Sequence, residues 1–369
     1  MLYYLADYLI PYFGPARLLQ SHALLLAGGT FFAALLTAMW LPKLWNKLPR
    51  DRGKAICKDL DGMKSAGKPT GTGMLVSLIA LPVIILFVPF KFWDAMCVVG
   101  FYLSMLFGYL DDRAETPWPE SLKLVLDIVV SIAIAFFIFF GHAENISGYE
   151  LPRMIVWLPF VKSLWYAPWY WYVPLATLII LFTLNATNCS DGVDGLAGSL
   201  TVVSLVILAV LLYVVIGYRP VAHYFLIPVY SEAARWAILV MTIAGAFGGY
   251  LWYNAEPSKI LMGDAGSRFL GVLVATASLM TGNLFVVVAL SPVVLVNGGG
   301  GLIKLLLLRI AKKVGLEIGD ENVLKRIRFP LHDHCKKKLG WSNAQVLMRF
   351  ILLQLIVMPI LLIILLKVS

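Results

Sequence analysis

Long apolar runs alternate with short polar ones along the whole chain. Ten such runs, rich in Leu, Ile, Val, Ala and Phe, cover 22–44, 73–90, 95–110, 122–140, 171–184, 196–216, 234–250, 269–281, 284–308 and 344–366. Most approach the ~17–25 residues a helix needs to cross the hydrocarbon core of a bilayer. None shows the sustained two-residue alternation of a membrane β-barrel strand. The pattern predicts an all-α polytopic membrane protein with about ten transmembrane helices in a single integral membrane domain spanning 1–369. Gly298, Gly299, Gly300 and Gly301 fall inside the ninth run and predict a broken helix. Such a break is tolerable where protein or water covers the backbone. The opening MLYYLADYLIPYF has no basic region followed by a cleavage site, so it reads as an interfacial aromatic segment, not a removable signal. No internal repeat is visible.

Composition makes the membrane reading firmer. The chain is 60% hydrophobic and 14% charged, against ~45–50% and ~25% for soluble domains. The net charge of +9 is unevenly placed. Lys43, Lys47, Arg50, Arg52, Lys54, Lys58, Lys64 and Lys68 follow the first run, and Arg309, Lys312, Lys313, Lys325, Arg326, Arg328 and Lys336 to Lys338 follow the ninth. Positively charged loops stay in the cytoplasm. Loops after the odd-numbered runs are therefore expected inside, and both termini and segment 142–170 outside. Trp157, Trp165 and Trp169 would then form an interfacial belt. The positive charge suits anionic headgroups or an anionic substrate, and no motif calls for nucleic acid. Cys57, Cys97, Cys189 and Cys335 form no CxxC pair, which argues against disulfides and a structural zinc.

Polar residues collect in the predicted cytoplasmic loops. Asp111 and Asp112 end the third run, and NATNCSDGVDGLA, 185–197, follows the fifth. YNAEPSKILMGDAGS follows the seventh, and His332, Asp333 and His334 follow the ninth. Each alone has an ordinary explanation: Asp-Gly pairs make turns, and two histidines beside a lysine run can be surface residues. Together they place several carboxylates on one face. Oxygen ligands of this kind suit Mg²⁺ or Mn²⁺, with phosphate oxygens completing the shell. Glycines around Asp264 let a backbone approach a phosphate closely. The chemistry this suggests is phosphoryl transfer, and the membrane setting suggests a lipid phosphate. Lys336 to Lys338 read as a membrane-surface patch.

The paired acids, NATNCSDGVDGLA, NAEPSKILMGDAGS, and PLHDH followed by GWS resemble the polyprenyl-phosphate N-acetylhexosamine-1-phosphate transferase superfamily, over nearly the whole chain. The resemblance implies a ten-helix enzyme of the bacterial inner membrane, usually a homodimer, with a cytoplasmic active site and a requirement for Mg²⁺. The histidine segment followed by Leu339-Gly340-Trp341-Ser342 favours the branch that moves phospho-N-acetylmuramoyl-pentapeptide from UDP-MurNAc-pentapeptide onto undecaprenyl phosphate, giving lipid I and UMP. By resemblance Asp264 binds the metal, with Asp191 beside it. Asp111 and Asp112 are the paired acids, one of them the base on the lipid phosphate. Asn188, Asp191 and Asp194 belong to the nucleotide and metal region, and Asn254 lies near the uracil pocket. Lys64 and Lys123 are the nearest matches to substrate-binding lysines. His332 and His334 match the outer members of a histidine triplet that binds phosphate or orients a catalytic acid. The sequence departs at Asp333, in place of the middle histidine, and at Leu261, where a uracil-stacking Phe often stands. It departs again at KSAGKPTGTG, where Lys64 is displaced by one position and Lys68 replaces a threonine. Direct attack by the lipid phosphate and a two-step route through a phosphorylated aspartate both fit these residues. So do a sister enzyme using another UDP-hexosamine and, from another class, a lipid flippase or transporter with a broken helix.

Overall fold

The computed structural model describes residues 1–51, 65–161, 163–230, 232–314 and 326–367. Lys64 lies outside them. The helices are α1 (Leu2–Leu9), α2 (His22–Leu44), α3 (Thr72–Phe87), α4 (Phe92–Arg113), α5 (Glu120–His142), α6 (Trp169–Cys189), α7 (Leu196–Val210) and α8 (Arg219–Tyr224). After these come α9 (Ala233–Asn254), α10 (Gly263–Leu279), α11 (Val286–Leu290), α12 (Pro292–Val294), α13 (Gly300–Val314), α14 (Leu331–Leu339) and α15 (Asn343–Lys367). A two-stranded antiparallel hairpin, β1 (Met154–Val156) with β2 (Trp165–Ala167), is the only sheet among the described residues.

Eight of the described helical segments are long and apolar enough to cross a membrane. Helix α3 is shorter, at 16 residues. Helix α10 carries Asp264 and Arg268, and every residue from Ala265 to Leu279 is buried. It is the central post of the bundle, with α3, α4, α6 and α7 packed against it. Between helices in lipid, close contact replaces the hydrophobic drive, so small residues mark the seams. Gly73 of α3 faces Gly266 of α10 so closely that a Cβ on Gly73 would lie 2.1 Å from the Gly266 Cα. Gly108 of α4 likewise faces the Asp264 carbonyl, with a Cβ reaching to 2.6 Å. Along the α2–α9 seam, Gly245 and Gly249 lie against the α2 backbone at Thr30 and Ala34.

The interruption expected near the glycine run is present. The chain leaves helical geometry at Ser291 (φ −126°, ψ 41°), and a π-turn over Leu295–Gly299 leads into α13. The glycines also serve packing: a Cβ on Gly298 would sit 1.9 Å from the Ala186 carbonyl oxygen of α6.

At the end of the bundle away from the acidic loops, the hairpin is tied down by side chains. The Trp157 indole donates to the Thr281 carbonyl, Asn283 donates to the Trp157 carbonyl, and the Tyr230 hydroxyl donates to the Ile155 carbonyl. Trp157 is buried, so it anchors the hairpin and does not join an interfacial belt. Trp169, Tyr170 and Trp171 at the start of α6 are exposed, as a belt requires.

Candidate active site

The C-terminal ends of α4, α6 and α9 and the N-terminal end of α10 meet at one end of the bundle. They surround a cleft of about 1040 Å³, lined by Asp112, Asn188, Asp191, Asp194, Asn254, Asp264 and His332 among others. Backbone pairing sets its floor. Leu261 N–H donates to the Pro69 carbonyl, Thr72 N–H to Leu261 and Gly73 N–H to Met262, which joins the segment before α3 to the segment before α10. Gly263 opens α10 with φ +70°, and any Cβ there would lie 2.4 Å from Asp112 Oδ2.

That opening lets Asp112 cap the helix. Its two oxygens accept from the Asp264 and Ala265 N–H groups at 3.2 and 3.3 Å. The first N–H groups of a helix lack internal partners, and the Asp112 oxygens satisfy two of them. Two acceptor sites on the carboxylate remain available. Asp111, adjacent in sequence, is engaged differently. It pairs with Lys123 at 2.7 Å and accepts from the Trp118 N–H at 2.8 Å, and neither Asp111 nor Lys123 lines the cleft.

The central loop forms the facing wall. Asp194 accepts from the Ser258 N–H at 3.2 Å and pairs with Lys68 at 3.5 Å. Lys68 also donates to the Ser258 hydroxyl at 2.9 Å, so the departure at this position places a cation in the cleft. Asn254 is buried and spans two loops, accepting from Gly195 N–H at 2.8 Å and donating to the Ile260 carbonyl at 2.7 Å. The resemblance puts Asn254 near the uracil pocket; Asn254 lines the cleft, and its amide braces the loops that shape it.

His332 and His334 separate. His332 is buried, and its N–H and ring Nδ1 approach Asn297 Oδ1 at 2.9 and 3.2 Å. Gly192 lies so near the imidazole that a Cβ would meet Nε2 at 2.3 Å. His334 is absent from the cleft lining; its Nδ1 accepts from the Arg328 N–H at 3.2 Å. Asp333, Lys336 and Lys337 line the rim. Burial pushes the neighbouring Cys335 thiol up, away from thiolate chemistry.

Among the described residues, no three His, Cys, Asp or Glu side chains close into a metal cage. Mg²⁺ needs no such cage when substrate phosphates and water complete its shell. Asp264, 30% exposed at the cleft, and Asp191 supply hard oxygen donors of the right kind.

Sequence reasoning passed over Asp127 and Arg268. They form a buried ion pair below the cleft, with Arg268 also 3.7 Å from Asp264. The signal available was a carboxylate inside an apolar run, which in a membrane is rarely idle.

An all-helical membrane bundle with a polar cleft of carboxylates, amides and lysines at one end defines a multi-pass integral membrane enzyme. The comparisons narrow the class. The profile of glycosyl transferase family 4 matches residues 95–282. A phospho-N-acetylmuramoyl-pentapeptide-transferase of Treponema pallidum (strain Nichols) is 39% identical over 94% of this chain and 91% of its own length. Proteins of the same name from Borreliella burgdorferi (strain ZS7) and Brachyspira hyodysenteriae are 29% and 26% identical, over 92% and 89% of this chain and 95% and 90% of their own lengths. The chain belongs to glycosyl transferase family 4, within its phospho-N-acetylmuramoyl-pentapeptide transferase branch.

Proposed function

We propose that this protein transfers phospho-N-acetylmuramoyl-pentapeptide from UDP-MurNAc-pentapeptide to undecaprenyl phosphate, giving lipid I and UMP in peptidoglycan synthesis. The observation that carries the reading is the convergence of Asp112, Asp191, Asp194 and Asp264 on one cleft, in a chain matching transferases of that name almost end to end. The lipid phosphate attacks the β-phosphorus of the donor. The bond from that phosphorus to the bridging oxygen breaks, and UMP leaves with the electron pair. Asp112, the member of the acid pair that lines the cleft, takes any proton still on the attacking phosphate. Asp111 holds Lys123 at the edge of α5, where the ammonium can meet the lipid's phosphate. Lys68, Lys336 and Lys337 face the donor's anionic groups.

Asp264 and Asp191 would hold Mg²⁺, which would supply positive charge against the oxygen that leaves with UMP. We place the cleft on the cytoplasmic face of the bacterial inner membrane, because Arg50, Lys68 and Lys336 to Lys338 lie at that end. A homodimer belongs to the same reading; native mass spectrometry tests it.

Purified protein is incubated with undecaprenyl phosphate, Mg²⁺ and either UDP-MurNAc-pentapeptide or UDP-N-acetylglucosamine, and UMP is measured. The expected result is UMP release with the first donor only, and only when the lipid is present. Release with UDP-N-acetylglucosamine alone reassigns the protein to a sister activity. No release with either donor removes the transferase reading.

A further inference from the structure

Asp127 and Arg268 are buried, with 2% and 4% of their surface exposed. Asp127 lies on α5 and Arg268 on α10, one turn beyond Asp264. Charges inside a membrane bundle carry a large desolvation cost, and an apolar pair of similar volume is often at least as stable. Stability alone is therefore a weak reason to find them here.

The geometry points beyond a structural tie. A guanidinium that only neutralised Asp127 would do best in a two-bond fork. Instead a single nitrogen, Nη1, reaches Asp127 Oδ1, at 2.5 Å, and Asp127 Oδ2 takes no bond from the guanidinium. The Arg268 Nε edge is turned the other way. It has no hydrogen-bond partner and lies 3.7 Å from Asp264 Oδ2. Asp127 thus fixes one edge of a rigid planar cation whose other edge faces the carboxylate in the cleft. Arginine suits this role because it stays charged in any surroundings and its plane holds both edges in one orientation.

We propose that Arg268, anchored by Asp127, is a positioning residue that sets the orientation and charge balance of the Asp264 carboxylate. The proposal rests on Asp264 being the metal-binding acid of the transferase reading. Removing a residue that orients a metal ligand typically costs 10–100-fold in metal affinity or activity.

The test uses the full-length protein in detergent. Asp127→Leu and Arg268→Leu are combined, so that neither charge is stranded, and Arg268→Lys is made separately, since an ammonium can serve one partner but not span both. Three readouts are taken: thermal melting, kcat and KM for UMP release, and Mn²⁺ affinity by electron paramagnetic resonance in the presence of UMP. The double variant is expected to melt near the parent temperature, to lose about 10–100-fold in kcat and Mn²⁺ affinity, and to keep KM for the donor within about threefold. Arg268→Lys is expected to fall between it and the parent. A folded double variant with parental kcat and Mn²⁺ affinity overturns the proposal. If the double variant does not fold, Arg268→Lys decides alone, and parental values in it overturn the proposal equally. Asp264→Asn serves as control. If that variant keeps UMP release and Mn²⁺ binding, the assignment of Asp264 has failed. If it loses both while the Arg268 variants match the parent, only the positioning role has failed.

Discussion

The carboxylate of Asp112 joins the fold to the cleft. It accepts from two N–H groups at the start of α10 and also faces the cleft. Asp112→Ala leaves those donors without a partner and is expected to cost about 1–2 kcal/mol, visible as a lower melting temperature together with lost UMP release. Asp264 makes no comparable helix-capping bond, so Asp264→Asn should separate the two effects. Activity is expected to fall at least about 10²-fold, with melting close to the parent. Lowered stability in Asp264→Asn with activity retained would reverse the roles given to these two acids. Adjacent residues in this protein differ sharply in environment. Asp111 pairs with Lys123 while Asp112 lines the cleft, and His332 is buried beside Gly192 while His334 bonds back to Arg328.

At the scale of elements, α10 is held by glycines on two neighbours. Gly108 and Gly73 bring α4 and α3 against its first turns, which carry Asp264. Gly108→Ala would press a methyl group onto the Asp264 carbonyl. The expected cost is about 1–3 kcal/mol of overpacking, with activity lost because the start of α10 moves away from Asp112. Gly248→Ala on α9 meets nothing within 4 Å and is expected to fold and turn over like the parent. Equal effects of the two substitutions would show that the seam does not position the site. Most helices were legible as apolar runs. Helix α10 was legible only in its apolar half, 269–281, because its first turn is polar and reads as loop. Its true start at Gly263 depends on the Asp112 cap, which comes from another helix.

For the whole molecule, the testable feature is the access to the cleft. Cys189 is exposed and lines it, whereas Cys97 and Cys335 are buried. With Cys57→Ser to remove the remaining thiol, a membrane-impermeant maleimide is expected to label Cys189 in inside-out vesicles and not in intact spheroplasts. UDP-MurNAc-pentapeptide should slow the labelling. Labelling from the outer side would overturn the orientation given to the cleft. Chelation of divalent metal is expected to stop UMP release reversibly, with full recovery on adding Mg²⁺; turnover unaffected by chelator would remove the metal from the mechanism.

The helices and the polar loops between them were legible because hydrophobicity and turn chemistry are local. Apolar runs of membrane length made helices, and acids, amides and glycines between them made the loops at one end. Positive charge marked that same end. Which side chain of each cluster enters the cleft was decided only by the tertiary structure. Successive residues on a helix point about 100° apart, so Asp111 and Asp112, or His332 and His334, are equivalent in a one-dimensional reading. The rotation of α4 and α14 is fixed by what they pack against, as Gly108 on Asp264 and Gly192 on His332 illustrate. The Asp127–Arg268 pair joins residues 141 positions apart, a separation no local pattern could bridge.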